Sequence, residues 1–225
     1  MISIIGATMK THNVKQRTEE WYALRLGLPT ASEFSNILTP KTLKLSKSIN
    51  TLSTALAADI FTGKTDEEEW EGNYHTQRGQ RLEPDAITRY EFAKNCTVDL
   101  VGFVTNDEGT YGCSPDGLVG TDGGIEIKCL KAENHIKAII YFEENQKMPP
   151  EYMPQVQGQL MITGRKWWDS IFYHPSFPLL IVRNSPDKKV QELLLEGIEE
   201  VIQKRDSTLS TLNKHNKEEK WKSND

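Results

Sequence analysis

The sequence predicts an α/β protein in which helices flank a central mixed β-sheet. Three observations carry this. Short strand signals run from about residue 97 to 130, with helix-periodic segments on both sides. Two further strand signals, near 168–173 and 179–183, lie beyond two more helices. The acids of the central run fall at strand ends, a rigid support for chemistry.

The whole chain sets limits. At 225 residues, 37% hydrophobic and 26% charged, it fits one globular domain over 1–225, and no apolar run nears the ~18 residues of a membrane span. Met1 to Gly6 is apolar but short and lacks a basic leader, so it reads as a first strand or ordered arm, with the cytoplasm as the default location. Three cysteines, Cys96, Cys113 and Cys129, form no C-x-x-C pair, which argues against disulfides and structural zinc. A net charge of −5 means that any DNA contact must be local, through a basic channel or pocket.

The elements follow in order. Thr18 with Glu19 and Glu20 starts a helix that stops at Gly27. Thr30 and Glu33 have capping-box spacing, which puts Ser32 in the first turn of a short helix ending near Leu38. Lys41, Lys44 and Lys47 precede a periodic helix from about Ser48 to Phe61, closed by Gly63; the lysines are either a solvated face or a track for a DNA backbone. Thr65 to Gly72 reads as an acidic loop. Thr76 to Asn95 returns to helix, with a kink or restart expected near Glu83 because Pro84 cannot donate a backbone bond.

Strands are expected at Thr97 to Thr105, Thr110 to Ser114 and Ile125 to Leu130, with Gly120 to Gly123 as a loop. Helices follow at about 133–142 and, after the Pro149-Pro150 break, 154–163. A last amphipathic helix runs from about Asp187 to 212, and its lysine-rich end is expected to fray. The organisation is thus N-terminal helices about 18–62, a core about 76–185 and a C-terminal helix about 187–212.

The chemistry concentrates in Ser114-Pro115-Asp116-Gly117 and Gly124-Ile125-Glu126-Ile127-Lys128. Side chains alternate along a strand, so Glu126 and Lys128 share one face while Ile125 and Ile127 take the other. Ser-Pro-Asp-Gly is either an ordinary turn or a strand break that exposes Asp116 beside that strand. Glu126 and Lys128 are either a solvated pair or members of a site. Their apolar neighbours favour the site, because buried charges are tolerated when paired or bound to metal. Carboxylates with an ammonium suit a hard divalent cation and phosphodiester cleavage. Trp21, Tyr22, Trp167 and Trp168 are read mainly as core, with base stacking as the other use.

With Glu83 added, the sequence resembles the PD-(D/E)xK nuclease core, and within it the lambda exonuclease group. The motifs are Trp21 to Gly27 with Thr30 to Glu33, Arg78 to Glu83, Cys113 to Leu118, and Tyr152 to Gln157, in the family's order over about residues 18–173. The resemblance implies a restriction-endonuclease-like core. It implies two magnesium ions, with manganese as a substitute: Asp116, Glu126 and the Ile127 carbonyl for one, Glu83 and Asp116 for the other. Lys128 would position or help deprotonate the attacking water.

By the same resemblance, Arg25, Ser32, Ser114 and Gln155 would grip a 5′-phosphate. On the residues alone, Arg25 could instead cap helix carbonyls and Gln155 could be an exposed first-turn residue, whereas Ser32 near a helix start suits an anion. The implied activity is 5′-to-3′ digestion of one strand of linear duplex DNA to mononucleotides, leaving 3′ tails for recombination. Implied partners are a homotrimeric ring around DNA and a phage-type single-strand annealing protein, in a bacterial host's cytoplasm. A restriction- or repair-type endonuclease and an inactive DNA-binding module are the alternatives. An iron–sulfur nuclease is disfavoured, since three scattered cysteines do not supply its ligands.

Overall fold

Where helix-starting residues meet apolar periodicity, the chain forms the helices expected. The computed structural model describes residues 9–65 and 74–222, with side chains at 77–216 in the second span. The arm expected at residues 1–6 and the acidic loop after Thr65 lie outside the described residues. Strand β1 (Met9–His12) leads to helix α1 (Glu19–Arg25), capped by Thr18, whose hydroxyl accepts from the Trp21 amide at 3.4 Å. Gly27 then turns the chain at φ 67°.

The short second helix, expected to end near Leu38, is a 3-10 segment that ends at Asn36 (Ala31–Asn36). Its capping box is present, with Glu33 returning to the Thr30 amide (3.2 Å) and hydroxyl (2.9 Å). The Ile37 amide bonds back to Phe34, three residues earlier, and Leu38 is drawn into a hairpin. That hairpin, β2 (Leu38–Thr39) and β3 (Lys44–Leu45), was not expected; Lys41, Lys44 and Lys47 stand exposed on it and after it. Helix α2 (Ile49–Thr62) buries Leu52 and Leu56 and ends at Gly63, φ 74°.

Helix α3 (Tyr74–Lys94) runs through Pro84 without the restart expected there. Ala86 and Tyr90, on the C-terminal side of the proline, are buried against the sheet, and the helix continues at the cost of one backbone bond. Strand β4 (Phe103–Asn106) is shorter than the expected Thr97 to Thr105. It pairs with β1 and with β5 (Gly112–Cys113) in a three-stranded antiparallel sheet.

The second sheet carries the candidate site. Its order is β6 (Gly117–Val119), β7 (Gly123–Cys129), β8 (Trp167–Tyr173) and β9 (Leu180–Asn184). The central β7–β8 pair is parallel and the outer pairs are antiparallel, so the sheet is mixed as predicted. Helices α4 (Ala132–Asn145) and α5 (Met153–Thr163) form the crossover between the parallel strands.

Alternation assigns the faces. Ile125, Ile127, Ile171 and Tyr173 pack with Ala86 and Tyr90 of α3. On the opposite face, Trp168 and Phe172 pack with Val156 and Leu160 of α5. Trp168 is accommodated because Gly124 has no side chain; a Cβ there would lie 2.3 Å from the indole. A third core gathers Phe34, Ile37 and Leu56 with Leu194, Ile198 and Val201 of α6 (Lys188–Lys222). Helix α6 continues to Lys222, ten residues beyond its expected end near 212.

Candidate active site

The site forms where β6 ends and leaves one edge of β7 uncovered. Gly117 pairs with Ile125, the last residue of β7 that β6 covers. Leu118 exchanges both backbone bonds with Asp99, so Gly117 and Ile125 form the hydrogen-bonded pair. Two residues on, the amide and carbonyl of Ile127 project to the same edge, with no strand among the described residues to meet them. Asp116, immediately before β6, fills that place: its Oδ2 accepts from the Ile127 amide at 2.6 Å.

Glu126 lies on the α5 face of β7 and is 4% exposed. Its Oε1 accepts from Lys128 Nζ and Gln155 Nε2, both at 2.7 Å, and its Oε2 from Gln159 Nε2 at 2.6 Å. Lys128 also donates to Gln155 Oε1 at 2.8 Å. Gln155 and Gln159 are four residues apart on α5 and thus share one helical face. The alternation expected of Glu126 and Lys128 is therefore present, and their pair is sequestered.

Glu83 reaches the same cleft from α3, across the other face of the sheet. Its Oε2 lies 3.6 Å from Arg17 Nη2. The cleft, about 320 Å³, is lined by Arg17, Glu83, Asp116, Glu126 and Lys128 together with Ile127. Pro84 supplies no amide for the carbonyl of Gln80, another residue of this lining.

Crowding of acids shapes the electrostatics. Burial, then the charges of Glu126 and Glu83, holds the Asp116 carboxyl well above the usual carboxylate range, against the Ile127 amide and Lys128. Glu83 is also raised, by burial and by Glu126, with Arg17 opposing. Burial by itself would lower the Lys128 ammonium, but Glu126 and Asp116 outweigh it and the net shift is upward. The neighbouring Cys129 thiol is pushed up to about 12 by burial and Glu83.

These groups suit a hard cation in kind. Carboxylate and carbonyl oxygens are magnesium donors, and the raised acids mark an excess of negative charge that a cation would relieve. They are not gathered into a ready cage: among the described residues no three His, Cys, Asp or Glu side chains converge for a metal. Each acid instead has internal partners: Arg17 holds Glu83, and Lys128, Gln155 and Gln159 hold Glu126.

The residues expected around a phosphate are only partly brought together. Ser114 Oγ accepts from Trp21 Nε1 at 3.0 Å and Arg25 Nη1 at 3.4 Å, and the Arg25 guanidinium stacks 4.1 Å above the Trp21 ring. Ser32 is exposed beside Thr30, with their hydroxyls 3.1 Å apart. Gln155 bonds to Glu126 and Lys128 and is not an idle surface residue. Trp21 and Trp168 are core; Trp167 is half-buried under Arg183, 3.8 Å from its ring.

Two residues of the site escaped the sequence reading, Arg17 in the cleft and Gln159 buried behind Glu126. Gln155, Gln157 and Gln159, polar residues spaced by two in an otherwise apolar helix, were the available signal for the second. Arg17 gave none.

Sheet, helices and cleft together define a protein of the lambda exonuclease-like class. The sequence model of the YqaJ-like viral recombinase domain matches residues 20–166. The fold matches the crystal structure of an alkaline exonuclease, LHK-Exo, from Laribacter hongkongensis, with TM-score 0.78 and 30% identity over 89% of this chain and 99% of that one. The same enzyme in complex with dAMP matches equally. A phage-related exonuclease from Haemophilus somnus 129PT shares the fold at TM-score 0.64 and 15% identity, over 82% of this chain and 96% of that one. No curated protein sequence matches. The chain belongs to the YqaJ-like viral recombinase family.

Proposed function

We propose that this protein is a magnesium-dependent exonuclease that digests one strand of linear duplex DNA from its 5′ end. It releases mononucleotides and leaves 3′ single-stranded tails for annealing. The observation that carries this reading is Asp116 bonded to the free edge of β7, beside Glu126 and Lys128 and facing Glu83. Structural likeness to LHK-Exo, whose complex contains dAMP, supports a mononucleotide product.

Asp116, Glu126 and the Ile127 carbonyl would hold one magnesium ion, and Glu83 with Asp116 a second; manganese is the expected substitute. When bound, such ions supply Lewis acidity to the attacking and leaving oxygens. Lys128, kept protonated by Glu126, orients the attacking water with its ammonium. Gln155 and Gln159 hold Glu126 in place. Arg25 and Ser114 supply the first grip on a terminal 5′-phosphate, with Ser32 and Gln155 as further contacts.

A homotrimeric ring and a phage-type single-strand annealing partner belong to the same proposal. With a net charge of −5, such a ring must gather its basic residues on the DNA-facing surface. The test is digestion of linear duplexes that differ only in 5′-phosphorylation, with each strand end-labelled, beside a covalently closed circle. Loss of the 5′ label first, faster on phosphorylated ends, is expected. Cleavage of the circle at a rate comparable to linear ends overturns the reading.

A further inference from the structure

Arg17 lies in the segment that joins β1 to α1. Its backbone is left-handed, φ 66°, a conformation that a residue with a side chain keeps only when its surroundings enforce it. Both neighbours do so. Gln16 donates through Nε2 to the carbonyls of Val101 (3.0 Å) and Pro115 (2.9 Å), while Thr18 caps α1 and donates to the Lys15 carbonyl at 2.8 Å. Pro115 precedes Asp116, so the strap that bends at Arg17 is fastened to the loop bearing the central carboxylate.

That bend directs the guanidinium to Glu83, yet the ion pair it makes there is weak. The Arg17 side chain is 46% exposed and the separation is 3.6 Å; a pair so placed contributes little to stability. Strain maintained for a weak pair points to another use. Of the residues lining the cleft, the cations are Arg17 and Lys128, and Lys128 is committed to Glu126 and Gln155. Arg17 is therefore the cation positioned to change partners. Its planar fork matches the oxygens of a phosphodiester.

We propose that Arg17 is a phosphate clamp on the DNA strand entering the cleft, paired with Glu83 in the substrate-free protein and transferred to a backbone phosphate when a divalent cation takes Glu83. The proposal rests on the nuclease reading above. It makes Arg17 a guard as well as a ligand, since its departure uncovers the carboxylate.

The test uses Arg17→Gly and Arg17→Lys in the full chain. Glycine relieves the positive φ, so Arg17→Gly is expected to fold with an unchanged or higher Tm. Binding of a short 5′-phosphorylated duplex, its terminal linkages phosphorothioate, is measured by anisotropy across a salt series in magnesium. Arg17→Gly is expected to weaken binding about tenfold and to lower the log–log salt slope by about 1, whereas Arg17→Lys keeps the slope and recovers part of the affinity. Without DNA, calorimetric magnesium titration of Arg17→Gly is expected to show several-fold tighter binding, because Glu83 has lost its competing partner. Wild-type duplex affinity and slope in Arg17→Gly overturn the clamp. Unchanged magnesium affinity overturns the exchange with Glu83. A wild-type protein that neither binds nor digests duplex fails at the nuclease reading instead.

Discussion

The Asp116 carboxylate and the Ile127 backbone amide are joined by a 2.6 Å hydrogen bond across the edge of β7 that β6 leaves open. This bond stabilises the ionised carboxylate, but burial and the charges of Glu126 and Glu83 outweigh it. The central acid is thus fixed in position and electrostatically unfavourable. That combination fits a group made to meet a cation.

Stability should therefore depend on pH and on magnesium together. Asp116 and Glu83 are raised above their ordinary 3.8 and 4.5, so above those values the folded state holds more protons than the unfolded state. Their contribution is fully present at low pH and is lost as pH rises through the raised values. Urea midpoints of metal-free protein, measured upward from pH 5, should show this loss, and saturating magnesium should reduce it. An identical profile with and without magnesium would remove these acids from the proposed metal site.

Asp116→Asn should separate stability from activity. Asparagine keeps an acceptor for the Ile127 amide and removes the buried charge, so the metal-free denaturation midpoint at pH 8 should rise. Activity should fall on the order of 10³-fold or more, several kcal/mol of transition-state stabilisation. Retained activity refutes the role proposed for Asp116.

Gln159→Leu should act through Glu126. The substitution leaves Glu126 Oε2 without its 2.6 Å donor in a buried setting. If Glu126 holds magnesium as proposed, a loss of about 10- to 100-fold in magnesium affinity is expected, as for partners of metal-binding groups. Calorimetry and kcat distinguish this from simple loosening: reduced stability with unchanged magnesium affinity would make Gln159 merely structural.

Gly158→Ala should disturb the proposed phosphate-binding end of the site by packing alone. A Cβ at Gly158 would lie 2.4 Å from the ring of Phe34, which is fully buried in the 3-10 segment that also carries Ser32. Overpacking of this kind costs about 1–3 kcal/mol. A lower urea midpoint and a weaker preference for 5′-phosphorylated ends are the expected results.

The candidate site was legible wherever a local rule applied. Alternation placed Glu126 and Lys128 together, and the spacing of Thr30 and Glu33 announced their cap. Local rules failed where distant contacts decided the outcome. Pro84 suggested a kink or a restart in α3, but with Ala86 and Tyr90 packed on the sheet the helix continues through it without a restart. Strand β6 has three residues, too few to show alternation, and depends on Asp99 as well as β7. The partnership of Gln159 with Glu126 spans 33 residues, and the positive φ of Arg17 carries no glycine to reveal it. In both cases tertiary contacts set the position of a residue at the site.

The parallel pairing of β7 with β8 also sets an order in time. A parallel pair cannot close through a hairpin, and its crossover here contains α4 and α5. Glu126 and Lys128 precede that crossover, while Gln155 and Gln159 lie within it. Such distant pairings are slow to form because a long loop must close first. A nascent chain released before β8 would hold its carboxylates but not the shape that gives them purpose. Activity is thus expected only once β8 has been synthesised, and pulse-labelled hydrogen exchange should show the Glu126 and Lys128 amides, which face β8, protected no earlier than those of β8.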